Sequence, residues 1–299
     1  MIIMRLGRFT NSSLLVKLML WMGILIVFFF VFFIGSTVLL TKGINLNQPA
    51  VMRWILAYQD IFLFTVPALL ATCLWSSQPA QWLHIRRHTD GKTILFAVLI
   101  MLVALPGNNL LAWLNSQISL PDCLAPLEQW MQQQEESSQR VLTTLLSDTR
   151  LDVFIANLLV IAILAAIGEE FCFRGVLQGL MQHTTKAIWL TAIIFSVIHF
   201  QFDGFFPRML MGALFGYMLV WTDNLWIPVI MHCTNNAAIT ILSYIATLRN
   251  MDTQVMDAFG TEDTLWVGIL SLVIVGIGIY CLRRSLTMSN ASSRTSKGN

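Results

Sequence analysis

The sequence predicts an all-α integral membrane protein with about eight transmembrane helices around a polar intramembrane cavity. Hydrophobic residues make up 56% of the chain and charged residues 11%, whereas soluble domains average about 45–50% apolar and about 25% charged residues. Apolar runs long enough to cross a bilayer, which takes about 20 residues, recur along the whole sequence. Ionisable residues interrupt three of these runs, which predicts the cavity. Residues 1–299 are therefore interpreted as one polytopic membrane domain whose immediate surroundings are the lipid bilayer.

The apolar runs define eight predicted spans. The first is too long for the apolar region of a signal peptide and is interpreted as a retained span. The fourth is long and is predicted to bend near Gly168. The fifth and sixth are short, so they either lie obliquely or are joined by a re-entrant turn. The predicted spans are 14–40, 52–75, 93–115, 151–180, 187–202, 207–222, 225–247 and 264–282.

Charges between the spans predict the orientation. Basic residues precede the first span and follow the second and the last, whereas the loops 116–150 and 248–263 are acidic. Because Lys- and Arg-rich loops stay on the cytoplasmic side, both termini are predicted to be cytoplasmic, in a bacterial inner or plasma membrane. The Ser/Thr-rich segment 287–299 is predicted to be a disordered tail. No dense basic stripe is present, so nucleic acid is not an expected partner.

The loop 116–150 has two open interpretations. From Leu127 onwards its apolar and polar residues are spaced as in an amphipathic helix that lies in the membrane interface. The alternative is an ordinary outer loop that packs on the helix bundle.

The fourth span carries two carboxylates and a guanidinium. An ionisable residue inside a span costs about 2.5–3.5 kcal/mol on insertion scales and so marks function. Glu170 and Arg174 are four residues apart, share one helix face and are predicted to form a structural ion pair. Glu169 lies about 100° round the helix and is left free to act. The alternative for Glu170 and Arg174 is a buried pair that only sets helix register.

Two further spans contain polar residues that complete a candidate catalytic set. His199 ends the fifth span, and His232 and Asn236 share a face of the seventh. Each alone is explained by hydrogen bonding between helices. Together with Glu169 they supply a base, two imidazoles and an amide, which is what amide hydrolysis requires. Asp60 in the second span has no evident partner and is expected to line a cavity or face the bundle interior.

These residues stand in three motifs that resemble those of the CPBP family (CAAX-protease and bacteriocin-processing, or Abi), whose members are glutamate intramembrane proteases. The motifs are E-E-x-x-x-R at 169–174, F-x-x-x-H at 195–199 and H-x-x-x-N at 232–236. The resemblance covers about 151–247, which is interpreted as the motif-bearing catalytic core.

The resemblance implies a role for each residue. Glu169 would be the general base, and His199 would position or activate the attacking water. His232 and Asn236 would form the oxyanion hole. The resemblance implies no required metal or cofactor.

The predicted function is therefore an intramembrane endopeptidase that acts on a membrane-associated peptide or protein substrate. Glu169 falls late in a span running inwards and His232 early in one running outwards, so the cut is expected near the cytoplasmic membrane boundary. A non-proteolytic membrane scaffold or bacteriocin-immunity protein with the same fold is one alternative. A zinc-dependent membrane hydrolase using both histidines and a glutamate is another. A transporter with a buried proton relay is a third.

Overall fold

The structure is a computed structural model and describes residues 6–251 and 258–295. Its helices of more than four residues, in chain order, are α1 (Leu14–Thr41), α2 (Pro49–Trp75), α3 (Gly91–Ser116), α4 (Ala125–Leu146), α5 (Leu151–Leu180), α6 (Thr185–Val197), α7 (Phe205–Thr222), α8 (Trp226–Leu248) and α9 (Leu265–Thr295). No strand is present in the described ranges.

Seven helices of the described chain are long and apolar enough to cross a membrane, all except α4 and α6. The predicted fold class, an all-α integral membrane protein, is confirmed. Helix α6 has 13 residues and rises about 20 Å, less than the roughly 30 Å hydrocarbon core. It ends at Val197 rather than at the predicted 202, because Phe200 adopts a left-handed conformation with φ 52°.

Helices α6 and α7 form a hairpin whose turn, residues 198–204, lies under α4. The Asn115 amide at the end of α3 donates to the Phe202 carbonyl over 2.7 Å. The Trp130 ring of α4 packs 5.7 Å from Phe200 and 5.9 Å from Phe202. The segment from Leu127 onwards is therefore helical, as the first interpretation of the loop 116–150 expects, and it also packs on the bundle, as the second expects. Helix α4 covers the segment that follows His199.

The contact between α2 and α5 is unusually close at Gly168. A Cβ atom there would lie 2.9 Å from the Asp60 carbonyl oxygen and 3.0 Å from Thr65 Oγ1. On either side of this contact α5 widens into π-helical turns, and α2 does so from Asp60 onwards. Such turns occur frequently at functional sites. Because Gly168 has no side chain, the α2 backbone can lie against α5 directly before Glu169.

Two side chains of α5 hold α7 at its G-x-x-x-G segment. Arg174 Nη2 donates to the Gly212 carbonyl over 3.1 Å, and Gln178 Nε2 donates to the Gly216 carbonyl over 3.2 Å. A Cβ at Gly212 would lie 3.0 Å from Arg174 Nη2, and one at Gly216 would lie 2.6 Å from Gln178 Oε1. Both glycines are needed because the donors approach the helix backbone itself.

The last helix differs from the expected disordered tail. Helix α9 continues to Thr295, into the segment 287–299, because no proline or glycine between residues 287 and 295 ends it. Residues 296–299 lie outside the described chain.

Candidate active site

Glu170 and Arg174 form a fully buried ion pair, with 2.7 Å between Oε1 and Nη1. The guanidinium carbon also lies 4.4 Å from the Phe195 ring centroid and 5.3 Å from that of Phe215. The charge therefore has a carboxylate, a backbone carbonyl and two aromatic faces as partners. Removing Glu170 would leave an uncompensated buried cation, which is strongly destabilising.

His232 contacts both glutamates. Its Nδ1 lies 2.9 Å from Glu170 Oε1, so this nitrogen carries the proton and donates to the carboxylate. Its Nε2 lies 3.8 Å from Glu169 Oε2. A carboxylate on Nδ1 fixes the tautomer and the orientation of the ring. The contact between His232 and Glu170 was missed from the sequence, where Glu170 has a partner only in Arg174.

His199 presents the same nitrogen to the same oxygen. Its Nδ1 donates to the Phe195 carbonyl over 2.7 Å, and its Nε2 lies 3.9 Å from Glu169 Oε2. The left-handed turn at Phe200 ends the helix at this point and fixes where the imidazole sits.

Glu169 differs from Glu170 in having no strong partner. Its Oε2 is buried and makes no hydrogen bond to any described residue. The separations of 3.8 and 3.9 Å from the two imidazoles are too long for direct hydrogen bonds. The carboxylate is therefore free to accept a proton.

Asn236 lies one turn further along α8 than His232. Its Nδ2 donates to the Ile161 carbonyl over 3.0 Å, and its Oδ1 accepts from Asn235 over 3.2 Å. One N–H of the amide remains for another acceptor. Asn235, which precedes Asn236 on α8, lines the same cavity, because the cavity is wide enough to reach two adjacent residues of this helix.

A cavity of about 690 Å³ contains these groups. Glu169, His199 and His232 line its deep end. Its walls come from α2, α3, α5, α7 and α8, and it runs to α4, where it is lined by Ser137, Ser138, Val141, Leu142 and Leu145. The cavity therefore connects the carboxylate with the side of the bundle that bears the acidic loop 116–150.

The opposite end of the bundle is closed. Trp75, Leu83 and Leu225 are at most 1% exposed and fill the space next to the basic loop 76–90. Asp223 clamps this loop by ion pairs to His84 and to Arg87, 2.9 Å from the latter's Nη1. The positions of Glu169 and His232 favoured a cut near the basic-loop end, whereas the packing of that end favours approach from the α4 end. Depth along a helix does not tell which end is packed.

Two charged cavity residues were not among the predicted site residues. Arg208 of α7 donates to the backbone and side-chain oxygens of Gln201 over 3.0 and 2.8 Å, and Asp60 of α2 lines the opposite wall. At the mouth, burial and then Asp203 raise the pKa of Glu135 on α4, against the effect of Arg208. The expectation that Asp60 lines a cavity or faces the bundle interior is confirmed. Arg208 was missed, and its available signal was an ionisable group within an apolar span.

The fold and the site define a class: a polytopic membrane protein with a carboxylate–imidazole cluster at the base of a cavity between its helices. No group of three or more His, Cys, Asp or Glu residues in the described chain is placed to hold a metal ion.

Comparison with known families shows a similarity over one segment of the chain. Residues 151–238 match the family described as type II CAAX prenyl endopeptidase Rce1-like. This segment contains all three motifs, so the resemblance to the CPBP family is confirmed over these residues.

Two curated proteins of Bacillus subtilis (strain 168) are similar to the chain. "Uncharacterized protein YpbD" is 33% identical over 82 residues, which cover 26% of this chain and 41% of that protein. "Putative membrane peptidase YdiL" is 26% identical over 98 residues, which cover 31% of this chain and 40% of that protein. The chain thus spans about two fifths of the length of these relatives. No solved structure matches the chain.

Proposed function

We propose that this chain is an intramembrane endopeptidase that uses Glu169 to activate water. One observation carries the proposal: Nε2 of His199 and Nε2 of His232 both face Glu169 Oε2, at 3.9 and 3.8 Å, inside a cavity. Three such groups can converge on one water molecule. The family match over 151–238 supports peptidase chemistry at this site.

In the proposed reaction, Glu169 takes a proton from the water while His199 Nε2 orients it. The oxygen of the water adds to the carbonyl carbon of the peptide bond. The oxyanion that forms is stabilised by His232, whose ring is held by Glu170 through Nδ1, and by the remaining N–H of Asn236. The C–N bond then breaks as the leaving nitrogen takes up a proton. Positioned acid–base groups contribute about 10²–10⁴-fold each to such reactions.

The substrate must present an extended segment, because the peptide bonds of an intact helix are shielded by their own hydrogen bonds. That segment reaches the site from the α4 side, where the cavity opens. With the termini in the cytoplasm, as the loop charges predict, α4 lies on the outer side. We therefore propose that an extended segment on the outer side of a membrane-associated substrate enters the cavity and is cut at its deep end, in place of the cut near the cytoplasmic boundary expected from the sequence.

The test is comparative membrane proteomics of cells that express the wild type or Glu169→Gln. The wild type should generate cleaved termini that Glu169→Gln abolishes. Glu136→Gln is the matched control, since Glu136 is an exposed carboxylate of α4 that pairs only with Arg140. Identical termini in both strains, together with full rescue of a deletion phenotype by Glu169→Gln, would support the scaffold alternative. Loss of activity with a chelator and recovery with zinc alone would support the metal alternative.

A further inference from the structure

Asp60 is a carboxyl group that the proposed reaction does not yet use. It lies within the membrane-spanning helix α2, as the first residue of a π-helical segment. The residue is only 5% exposed, and it lines the same cavity as Glu169, His199 and His232.

The carboxyl of Asp60 has no compensating partner. Glu170, the other deeply buried acid of this region, binds both Arg174 and His232. No described residue forms a hydrogen bond or an ion pair with the Asp60 carboxyl, and only the Asp60 backbone oxygen is engaged, by Thr65. A lone charge inside a span is costly, which makes a functional role the default interpretation.

Asp60 also lies close to Glu169. The α2 backbone at Asp60 touches α5 at Gly168, the residue before Glu169. Both carboxyl groups line the same cavity. Two carboxyl groups facing one low-dielectric cavity cannot both ionise cheaply, so such a pair shares one proton.

We infer that Asp60 is the acid partner of Glu169 and protonates the leaving amine. This inference rests on the proposed function. Glu169 starts as the carboxylate and Asp60 as the acid. Water loses one proton to Glu169 and adds its oxygen to the carbonyl carbon. As the C–N bond breaks, Asp60 gives its proton to the nitrogen.

The reaction is then balanced. The products are a carboxylic acid and an amine, and one water has been consumed. Glu169 holds a proton and Asp60 is ionised, so transfer of that proton from Glu169 to Asp60 restores the starting state. No oxidant, metal or second reactant is needed. The pair titrates as a unit rather than as two separate acids.

The kinetic test uses two quenched-fluorescence peptides that carry the cut sequence found by proteomics, one with the natural amide and one with an ester at the scissile bond. Asp60→Asn should lower kcat on the amide by about 10²–10⁴-fold, with KM changed less than about threefold. An alkoxide leaves without prior protonation far more readily than an amide anion, so the loss on the ester should be at least tenfold smaller. Asp60→Glu should restore part of the amide activity.

A control separates chemistry from packing. Ile61, the residue after Asp60 in α2, is 36% exposed and is not one of the cavity-lining residues, so Ile61→Val should retain activity on both peptides within about twofold. Equal losses of amide and ester hydrolysis in Asp60→Asn would mean that Asp60 only supports the structure. Full amide activity in a folded Asp60→Asn would overturn the inference as well.

A spectroscopic arm does not need substrate. Infrared spectra of the reconstituted protein are compared at neutral pH between the wild type and Asp60→Asn. The wild type should show one protonated-carboxyl band that is missing in Asp60→Asn. Its absence from the wild type would show that the pair holds no proton and would contradict the inference. If Glu169→Gln loses cleavage while Asp60→Asn keeps it, only this inference fails; if Glu169→Gln keeps cleavage, the proposed function fails.

Discussion

The two ends of the helix bundle are built from different residues. Next to the basic loop 76–90, Trp75, Leu83 and Leu225 fill the space between α2, α5 and α8. At the end under α4, the helices surround a cavity of about 690 Å³ whose wall there includes Ser137 and Ser138. Glu169 and His232 lie nearer the packed end in sequence, yet they are reached from the other. The position of a residue along its helix therefore determines how deep the site lies, whereas the bulky side chains at one end determine from which end the site is reached.

Glu169 and Glu170 differ in a similar way, since Glu169 faces the open cavity and Glu170 is packed against its partners. Replacing either with glutamine should give the largest effects. Glu169→Gln should abolish cleavage, by about 10²–10⁴-fold or more, and leave the melting temperature nearly unchanged, because it removes a base but little volume. Glu170→Gln should instead lower the unfolding free energy by about 3–5 kcal/mol, since Arg174 loses its buried partner. Activity and thermal melts in detergent check both. Full activity in Glu169→Gln would disprove its role.

Substitutions of Asn236 and of its neighbour Asn235 on α8 test which amide stabilises the oxyanion in the cavity. Asn236→Ala should reduce kcat by about 10²–10³-fold, the usual loss for one oxyanion-hole donor. Asn235→Ala is the matched control, because Asn235 lines the same cavity and contacts Asn236. We expect it to cost less than tenfold, through a less firmly held Asn236. Steady-state kinetics decide, and equal losses in the two variants would remove Asn236 from the proposed site.

Leucines from the two ends should differ in their effect on stability. Leu225 is 0% exposed in the closed end, and Leu225→Ala should cost about 2–5 kcal/mol as a buried cavity-creating change. Leu142 lines the open cavity on α4, so Leu142→Ala should cost less than about 1 kcal/mol, since little packing is lost. Thermal melts of both variants provide the measurement. Similar losses would indicate that both ends are equally packed.

Acid should loosen the closed end by the smallest amount. Burial, and then the nearby His84, lower the pKa of His183 from its usual 6.5 to about 4, against the opposing effect of Asp223. Its Nδ1 accepts from Gln178 over 3.2 Å, and Gln178 in turn holds Gly216. Unfolded His183 therefore binds a proton at higher pH than folded His183, so stability falls as pH drops from about 6.5 towards 4.

The expected loss from His183 is roughly 1–2 kcal/mol after allowance for its partial exposure. Melting temperatures at pH 7 and pH 5 should differ more in the wild type than in His183→Gln, which cannot take up this proton. The same pH dependence in both proteins would assign the acid sensitivity to other groups.

Spacing rules explain what the sequence could predict. The i,i+4 spacing of Glu170 and Arg174 placed both on one face of α5. The apolar runs located six of the eight spans to within three residues at each end, whereas the predicted fifth span ended too late and the eighth too early. Contacts between helices were out of reach, as with His232 and Glu170, because they depend on how helices cross. The closed end was missed for the same reason: Leu83 and Leu225 are ordinary apolar residues until the fold brings them together.

Asp60 shows most clearly what the sequence alone could not predict. Its position inside an apolar span marked it as unusual, but only the close approach of α2 at Gly168 associates it with Glu169. The early end of α6 is similar, since a left-handed residue such as Phe200 carries no glycine or asparagine signal.

The central claim, that the site is reached from the α4 end and hence from outside, can be tested by one labelling measurement. Ala165 lines the cavity one turn before Glu169, whereas the adjacent Ala166 is 0% exposed. In a background without native cysteines, a membrane-impermeant methanethiosulfonate added to intact cells should modify Ala165→Cys and leave Ala166→Cys and Arg86→Cys unmodified. Modification of Ala165→Cys only after the cytoplasmic side is opened, or of Arg86→Cys in intact cells, would contradict the account.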